Sequence, residues 1–226
     1  RPTAARDPRA PTAVLTELAR DPDKKVRRAV AANTRSPARV LAELAHDPLP
    51  SVRAAVGANE RASVRLLMQL ARDRDHRVRA AAMCNHRTPL SALSRLAHDP
   101  AASVREAVAH NTRTTAATLT ELAHDPDTRV RQALVRNENT PLAALAVALA
   151  ELAHDRDTRV REAVAHNEHT PAATLTELAH DPYTRVRQAV ARNEHTPAAT
   201  LTELAHDPDG WVADLARDTL TARRNP

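Results

Sequence analysis

Residues 181–206, DPYTRVRQAVARNEHTPAATLTELAH, form a unit that recurs along the chain and decides its fold. Six of the seven intervals between successive copies are 26 residues long, and the fifth is 30. A fixed period in this range is typical of a solenoid, in which each repeat buries its apolar side chains against its neighbours. An aspartate before Pro or Arg, here called the marker aspartate, begins the copies at Asp21, Asp47, Asp73, Asp99, Asp125, Asp155, Asp181 and Asp207.

The reference unit contains two helix-start signals. The pair Asp181-Pro182 predicts that the aspartate caps a first helix, and Thr196-Pro197 predicts that the threonine caps a second. Proline is tolerated at the first helical position because its missing N–H would have no partner there. Each repeat is therefore predicted to contain two helices.

Apolar side chains follow each start signal at helical spacing. Val186, Ala189 and Val190 form the first stripe, which is predicted to end at Asn193. The second stripe, in residues 201–205, is so short that it suits either an α-helix or a 3-10 helix. Because no segment alternates apolar and polar residues as a strand does, the fold class is all-α.

The same columns recur in almost every unit. The run D-P-x-x-x-V-R-x-A-V-A-x-N-x-x-T-P-x-x-x-L-x-x-L-A resembles the leucine-rich repeat variant family of HEAT-like α-solenoids, over about residues 7–217. This resemblance implies a right-handed superhelix of about eight two-helix repeats, with α and short α or 3-10 helices and no sheet. It does not extend to the iron–sulfur cluster of one branch of that family, because Cys84 is the chain's only cysteine.

The unbroken repeat predicts one domain with modified ends. The extra four residues of the long interval predict a helix lengthened by one turn, and Trp211 is predicted to cover the last repeat. The expected domain covers residues 1–226, with a half-repeat cap at 1–20, repeats at 21–206, an insertion near 142–146 and a C-terminal cap at 207–226.

Composition argues against most kinds of enzyme. The chain has two Gly, no Phe, one Trp and one Tyr, so no Gly-rich phosphate loop is present and the core is predicted to consist of Leu, Val and Ala. A lone cysteine excludes a disulfide framework and a cysteine metal cluster. No apolar run approaches the roughly 20 residues of a membrane span. We therefore expect a bacterial, cytoplasmic, non-enzymatic protein without cofactor or small-molecule substrate.

The charged and histidine columns have structural explanations. The Asp of one unit and the Arg of the next are predicted to form an ionic ladder between repeats. The histidines before the marker aspartates lie in layers roughly 8–10 Å apart, too far to share a metal ion, so no metal site is predicted. The ladder residues are Asp47, Arg53, Asp73, Arg79, Asp99, Arg105, Asp125 and Arg131.

Positive charge is concentrated near the N-terminus. Residues 1–79 contain 17 Lys or Arg and 9 Asp or Glu, whereas residues 80–226 contain 16 and 19. Four arginines occur two residues after successive column asparagines, and no internal ladder requires them. We name the following candidate binding residues the basic edge: Lys24, Lys25, Arg28, Arg35, Arg61, Arg77, Arg87 and Arg113.

Two functions fit these features. The first is a scaffold that recognises a protein partner through an extended repeat surface, tuned by a column that varies between repeats: Arg28, Ala54, Ala80, Glu106, Gln132, Glu162 and Gln188. The alternative is a duplex nucleic-acid binder that contacts phosphates through the basic edge. AATLTELAHD occurs at 116–125, 172–181 and 198–207, so specificity is expected in the more diverged first repeats.

Overall fold

Helices form the whole architecture of the residues that the computed structural model describes, 2–137 and 142–224. These residues contain seventeen α-helices and no β-strand, which confirms the all-α prediction. The helices are α1 (Pro2–Arg6), α2 (Thr12–Leu18), α3 (Lys24–Ala32), α4 (Ala38–Leu44), α5 (Pro50–Ala58), α6 (Val64–Leu70), α7 (His76–Met83), α8 (Leu90–Leu96), α9 (Ala102–His110), α10 (Ala116–Ala123), α11 (Thr128–Val135), α12 (Leu142–Leu152), α13 (Thr158–His166), α14 (Ala172–Leu178), α15 (Thr184–Arg192), α16 (Ala198–Leu204) and α17 (Gly210–Arg224).

The chain divides into two compact units, residues 1–118 and 119–226. Each repeat has a first helix, odd-numbered from α3, and a second helix, even-numbered from α4. In the first unit α3, α5, α7 and α9 pack against one another in order, and in the second α11, α13, α15 and α17 do so. Most second helices pack between two first helices, as α6 does on α5 and α7 and α14 on α13 and α15. Repeats therefore bury apolar side chains against their neighbours, as in a solenoid.

First helices begin three residues after the marker aspartate, which corrects the predicted cap. Helix α15 begins at Thr184 and its N-cap is Tyr183, while Asp181 accepts a hydrogen bond from the Tyr183 backbone N–H at 2.9 Å. In most other repeats the N-cap position holds a second aspartate; Asp75, for example, accepts from the Arg77 N–H at 2.9 Å. The marker aspartate is left for contacts between repeats.

Second helices also begin later than predicted. Thr196 is fully buried and its hydroxyl donates to the Val190 carbonyl at 2.6 Å, while Pro197 is the N-cap. The threonine thus ties the end of one helix to the start of the next. Where the proline is missing, Ser63 becomes the N-cap and accepts from the Leu66 N–H at 3.2 Å. The second helices are α-helices of mostly seven residues, which decides between the two predicted alternatives.

Small residues allow first helices to approach closely. A Cβ added to Gly57 in α5 would lie 3.0 Å from the backbone nitrogen of Ala82 in α7. Leu67 and Met83 of the first unit and Leu175 of the second are fully buried, consistent with the predicted aliphatic core.

Helix α12 has eleven residues, whereas α14 has seven, which confirms the lengthening predicted from the long interval. Part of the predicted insertion near 142–146 lies outside the described residues, namely the side chains of 142–144. The preceding residues 138–141 also lie outside them.

Trp211 does not cover the last repeat, because 62% of it is exposed. It occupies the helix position that exposed Arg185 has in α15, on the solvent side. Val212, Ala213 and Ala216 are the buried residues of α17.

Candidate binding surface

In most first helices an arginine, buried at Arg53 and Arg131 and half-buried elsewhere, binds the aspartate that begins the next repeat. Arg53 donates from Nε to Asp73 Oδ2 at 2.7 Å and from Nη2 to Asp73 Oδ1 at 2.9 Å. Its Nη1 donates to the carbonyls of Asp47 and Pro48 at 2.8 and 3.1 Å. The same ion pair joins Arg27 to Asp47, Arg79 to Asp99, Arg131 to Asp155, Arg161 to Asp181 and Arg187 to Asp207.

The direction of this ladder is the reverse of the predicted one. We expected the Asp of one repeat to meet the Arg of the next, but Arg79 meets Asp99, the aspartate that follows. The reason is that Asp99 comes directly after α8, the second helix of the repeat that contains Arg79. Of the remaining ladder residues, Arg105 donates to the Asp99 carbonyl at 2.8 Å and Arg131 to the Asp125 carbonyl at 2.6 Å.

The ladder continues across the longer repeat. Arg131 and Asp155 are separated by four more residues than Arg161 and Asp181, yet their paired hydrogen bonds are 2.5 and 3.0 Å long. Since one helical turn takes 3.6 residues, α12 gains about one turn and returns the aspartate to its usual place.

Three of the ladder aspartates, Asp73, Asp99 and Asp207, are stabilised in the ionised form. Burial opposes ionisation of Asp73, but hydrogen bonds from the Arg53 guanidinium and the Asp75 N–H outweigh it and lower the Asp73 pKa. The same causes, with Arg79 and the Ala101 N–H as donors, lower the pKa of Asp99. Asp207, which pairs with Arg187, also has a lowered pKa.

A buried asparagine joins each repeat to the preceding one. Asn59 Nδ2 donates to the carbonyls of Ala31 and Asn33 at 2.7 and 3.0 Å, and its Oδ1 accepts from the Arg61 N–H at 2.9 Å. Asn33, Asn85, Asn111 and Asn193 make the same bonds to the repeats before them. The asparagine predicted to end the first helix thus also bridges repeats.

The polar groups of the buried side chains are all engaged in hydrogen bonds. In the part of the chain that the structure describes, every buried side-chain nitrogen and oxygen has a hydrogen-bond partner. Chemistry toward a ligand must therefore come from exposed columns.

The structure separates the basic edge into two groups. Lys24, Lys25 and Arg28 are exposed on α3, whereas Arg77 on α7 forms an ion pair with Asp75 at 2.7 Å. The second group, Arg35, Arg61, Arg87 and Arg113, lies exposed in the loops after successive first helices.

Part of the second group has an internal role that we did not expect. Arg113 Nη1 donates to the carbonyls of His86 and Thr88, both at 3.3 Å, and Arg61 Nη1 to that of Thr34 at 3.5 Å. The side chains of Arg35 and Arg87 form no hydrogen bond or ion pair with any described residue.

A second row of contacts between repeats, which the sequence reasoning missed, lies on the exposed side of the second helices. Arg20 pairs with Glu43 at 2.8 Å, and His154 approaches Glu177 to 3.5 Å. His124 and Glu151, and His180 and Glu203, form similar rungs. The glutamate column consists of Glu17, Glu43, Glu121, Glu151, Glu177 and Glu203.

This glutamate column is interrupted in two repeats of the first unit. Gln69 on α6 and Arg95 on α8 stand where the other repeats have Glu. Gln69 lies 3.3 Å from the His46 ring, and Arg95 donates to the Ala71 carbonyl at 3.2 Å. Neither α6 nor α8 contains a carboxylate. An alignment of the repeats would have shown these two non-Glu residues in the glutamate column.

The gap adjoins a hollow and two exposed aliphatic side chains. Arg61 and Arg65 line a hollow between α4 and α6, together with Leu41, Leu66 and the polar His46 and Gln69. Val64 is 47% exposed and Leu90 43%, at positions where most other repeats have Ala. We name this region the α6–α8 surface, consisting of Arg61, Val64, Arg65, Gln69, Arg72, Leu90 and Arg95.

Within the described ranges, no group of three or more His, Cys, Asp or Glu side chains is placed to hold a metal ion. Cys84 is exposed on its repeat, and desolvation together with Glu106 raises the pKa of its thiol. None of the described helices has both the length and the apolar composition needed to cross a bilayer.

The two units differ in charge. Residues 1–118 contain 21 Lys or Arg and 11 Asp or Glu, whereas residues 119–226 contain 12 and 17. The α6–α8 surface therefore lies within the basic unit.

Known proteins resemble this chain in repeat sequence and in fold. The leucine rich repeat variant family model matches residues 158–182 and 184–209. A solved structure described as a leucine-rich repeat variant with a novel repetitive protein structural motif is 28% identical, with a TM-score of 0.69 over 96% of this chain and 85% of that one. The X-ray structure of YibA from Escherichia coli is 18% identical, with a TM-score of 0.60 over 97% and 95%. No curated protein sequence matches.

Proposed function

We propose that this chain, whose resemblance to the leucine-rich repeat variant family is confirmed, is a non-enzymatic scaffold that recognises a protein partner. The observation that carries the proposal is that one set of columns holds the repeats together while a different set varies in sequence. The Val, Arg, Asn and Asp columns are buried or half-buried, and the Arg, Asn and Asp side chains form bonds between repeats. Other columns, which are half-buried or exposed, change from repeat to repeat. Such a framework allows a surface to vary without loss of stacking.

The varying columns lie in accessible positions. Arg28 is exposed, and its counterparts Ala54, Ala80, Glu106 and Gln132 are half-buried, none of them fully buried. Arg28, Ala54, Ala80 and Glu106 lie along successive first helices of the first unit and differ in size and charge. A row of this kind supports recognition of an extended protein surface, since each repeat adds one contact position.

Duplex nucleic acid is the second candidate. It is supported by the exposed cations of α3 and by Arg35 and Arg87, whose side chains have no partner among the described residues. Arg77, Arg61 and Arg113 support it less, because each binds an internal carboxylate or carbonyl. With one Trp and one Tyr in the chain, stacking on unpaired bases has little support.

A display selection tests the first candidate against the second. The full chain is immobilised and exposed to a phage library of genomic fragments from the organism that encodes it, while a short DNA duplex is titrated by fluorescence anisotropy at low and moderate salt. The expected result is fragments that are retained at moderate salt and compete with one another. Retention of no fragment, with duplex binding that falls steeply with salt, would favour the alternative.

The variant for the duplex titration is Arg35→Gln with Arg87→Gln. These two side chains have no role in the described framework, so the exchange removes charge without removing a structural bond. Duplex binding that is weakened in this variant would place the nucleic acid on the basic edge.

A further inference from the structure

We infer that the α6–α8 surface binds an acidic segment of the partner protein, an inference that rests on the proposed protein-binding function. The surface lies in the diverged repeats and differs from its counterparts in charge, shape and apolar exposure together. Each of these differences is a departure from the residues that most other repeats have at the same positions.

The first step concerns charge. Two repeats earlier, at the same columns, Arg20 is paired with Glu43 at 2.8 Å, but Arg95 stands where a glutamate would meet Arg72. The Arg72 side chain consequently has no ion-pair partner among the described residues. Arg95 thus presents positive charge in a column where most other repeats place a carboxylate, Gln69 in the same column also lacks one, and Arg72 adds a second cation.

Nearby carboxylates do not cancel this charge. Asp73 is paired with Arg53 at 2.7 Å and Asp75 with Arg77 at 2.7 Å, both on the first-helix side. Glu60, in the loop before α6, is exposed and does not line the hollow.

The second step concerns shape. Arg61 and Arg65 line the same hollow, whose volume is about 290 Å³ and whose inner side is formed by Leu41, Ala42 and Leu66. A carboxylate that enters it meets guanidinium donors and no carboxylate in the lining. Charge-assisted hydrogen bonds of this kind are about twice as strong as neutral ones.

The third step decides between a protein and a nucleic acid. Val64 and Leu90 are exposed beside the cations. A phosphate backbone offers these side chains nothing apolar, whereas an aliphatic side chain of a protein gains about 25 cal/mol for each Å² of apolar area buried. An acidic segment with interspersed aliphatic residues therefore matches the surface.

The test pans a phage library of random dodecapeptides on the full chain and on the double variant Gln69→Glu with Arg95→Glu. Glutamate occupies this column in most other repeats, so the variant is expected to fold, as checked by far-UV circular dichroism. The charge-matched control is Ala173→Glu with Arg185→Glu, at exposed positions of α14 and α15. Like the double variant, it lowers the net charge of the chain by three.

We expect the wild-type chain and the control to retain peptides rich in Asp, Glu and aliphatic residues. Binding of these peptides is expected to fall about tenfold in the double variant, because the new carboxylates repel the ligand and pair with the arginines. Arg65→Ala, which introduces the residue found at Ala173, is a second variant that keeps the test informative if the first one unfolds.

Other outcomes overturn the inference. Peptides that bind the wild type and both variants equally would place the partner elsewhere while leaving the protein-binding function intact. Retention of no peptide would count against both proposals. Duplex DNA binding that is lost in the double variant would assign the surface to nucleic acid, and a salt-sensitive dimer lost in that variant would assign it to a second copy of the chain.

Discussion

At the scale of single residues, two buried polar side chains determine the stack. The arginine bonds forward to the next aspartate and the asparagine bonds back to the carbonyls of the repeat before. Asn59, for example, satisfies two buried carbonyls that have no helical partner of their own. The energetic importance of these residues lies less in the bonds themselves than in the cost of leaving buried groups unpaired.

Removal of one asparagine that joins two repeats gives a direct prediction. Asn59→Ala leaves the Ala31 carbonyl without this donor, whereas the Asn33 carbonyl keeps its bond from the Ser36 N–H. We expect a loss of about 1–3 kcal/mol in the free energy of unfolding. Urea denaturation followed by circular dichroism measures it. Thr34→Ala, at an exposed neighbouring position, is the control and is expected to change stability by less than about 0.5 kcal/mol.

The ladder predicts how stability depends on pH. The pKa values of Asp73, Asp99 and Asp207 are lowered in the folded state, so the unfolded chain binds protons more readily as pH falls. Their contribution is therefore present above the unfolded pKa of about 3.9 and is lost as pH falls toward the folded values. We expect the urea midpoint to decrease between about pH 6 and about pH 3.

The variant Asp99→Asn sharpens this measurement. It is expected to be less stable than the wild type near neutral pH and to lose less stability on acidification, because one of the shifted carboxylates is gone. Glu203→Gln removes an exposed carboxylate, and it should keep the wild-type profile. If the pH dependence of the urea midpoint is unchanged in Asp99→Asn, the loss of stability in acid must come from protonation of other groups.

At the scale of elements, helix existence was easier to predict from sequence than helix boundaries. The stripe Val186, Ala189, Val190 is buried as expected, because helical periodicity reports directly on burial. The caps were wrong because Asp181 and Thr196 have side chains that suit a cap, yet both are used for other bonds. Only the tertiary structure shows which of two favourable hydrogen bonds a side chain makes.

Helix spacing predicts opposite responses at the two glycines. Gly57→Ala adds a Cβ about 3.0 Å from the Ala82 nitrogen in the neighbouring helix. We expect the clash to outweigh the gain in helix propensity and to lower stability by about 1 kcal/mol. Gly210→Ala has nothing within 4 Å of the new Cβ, so it is expected to be neutral or slightly stabilising. Thermal unfolding of both variants compares them, and a stabilised Gly57→Ala would show that α5 and α7 can separate without cost.

At the scale of the whole molecule, the main helix contacts among the described residues join neighbouring repeats, so local damage is expected to stay local. Arg53→Gln breaks the ion pair to Asp73 and leaves that buried carboxylate without its guanidinium. In hydrogen exchange followed by mass spectrometry, we expect faster exchange in α5 and α7 and unchanged exchange in α15 and α16. A uniform increase in both units would instead indicate all-or-none unfolding.

The candidate surface was only partly predictable at this scale. The diverged first repeats were expected to carry specificity, and Arg61 was already among the candidate residues. The sequence reasoning overlooked Gln69 and Arg95, because their significance is an absence of Glu that appears only when repeats are compared column by column. The exposure of Val64 and Leu90 could not be read from periodicity, since both begin their helices and precede the buried stripe.

The forward arginine bond and the backward asparagine bond also bear on how such a gene can change. Both bonds connect positions at fixed separations, 20 residues forward and 28 residues back in most repeats. Duplication or loss of one whole repeat during replication leaves every remaining separation intact, whereas an insertion of arbitrary length breaks two joints at once. The length of the chain is therefore expected to change by whole repeats. The three identical AATLTELAHD segments are what recent duplication of this kind would leave behind.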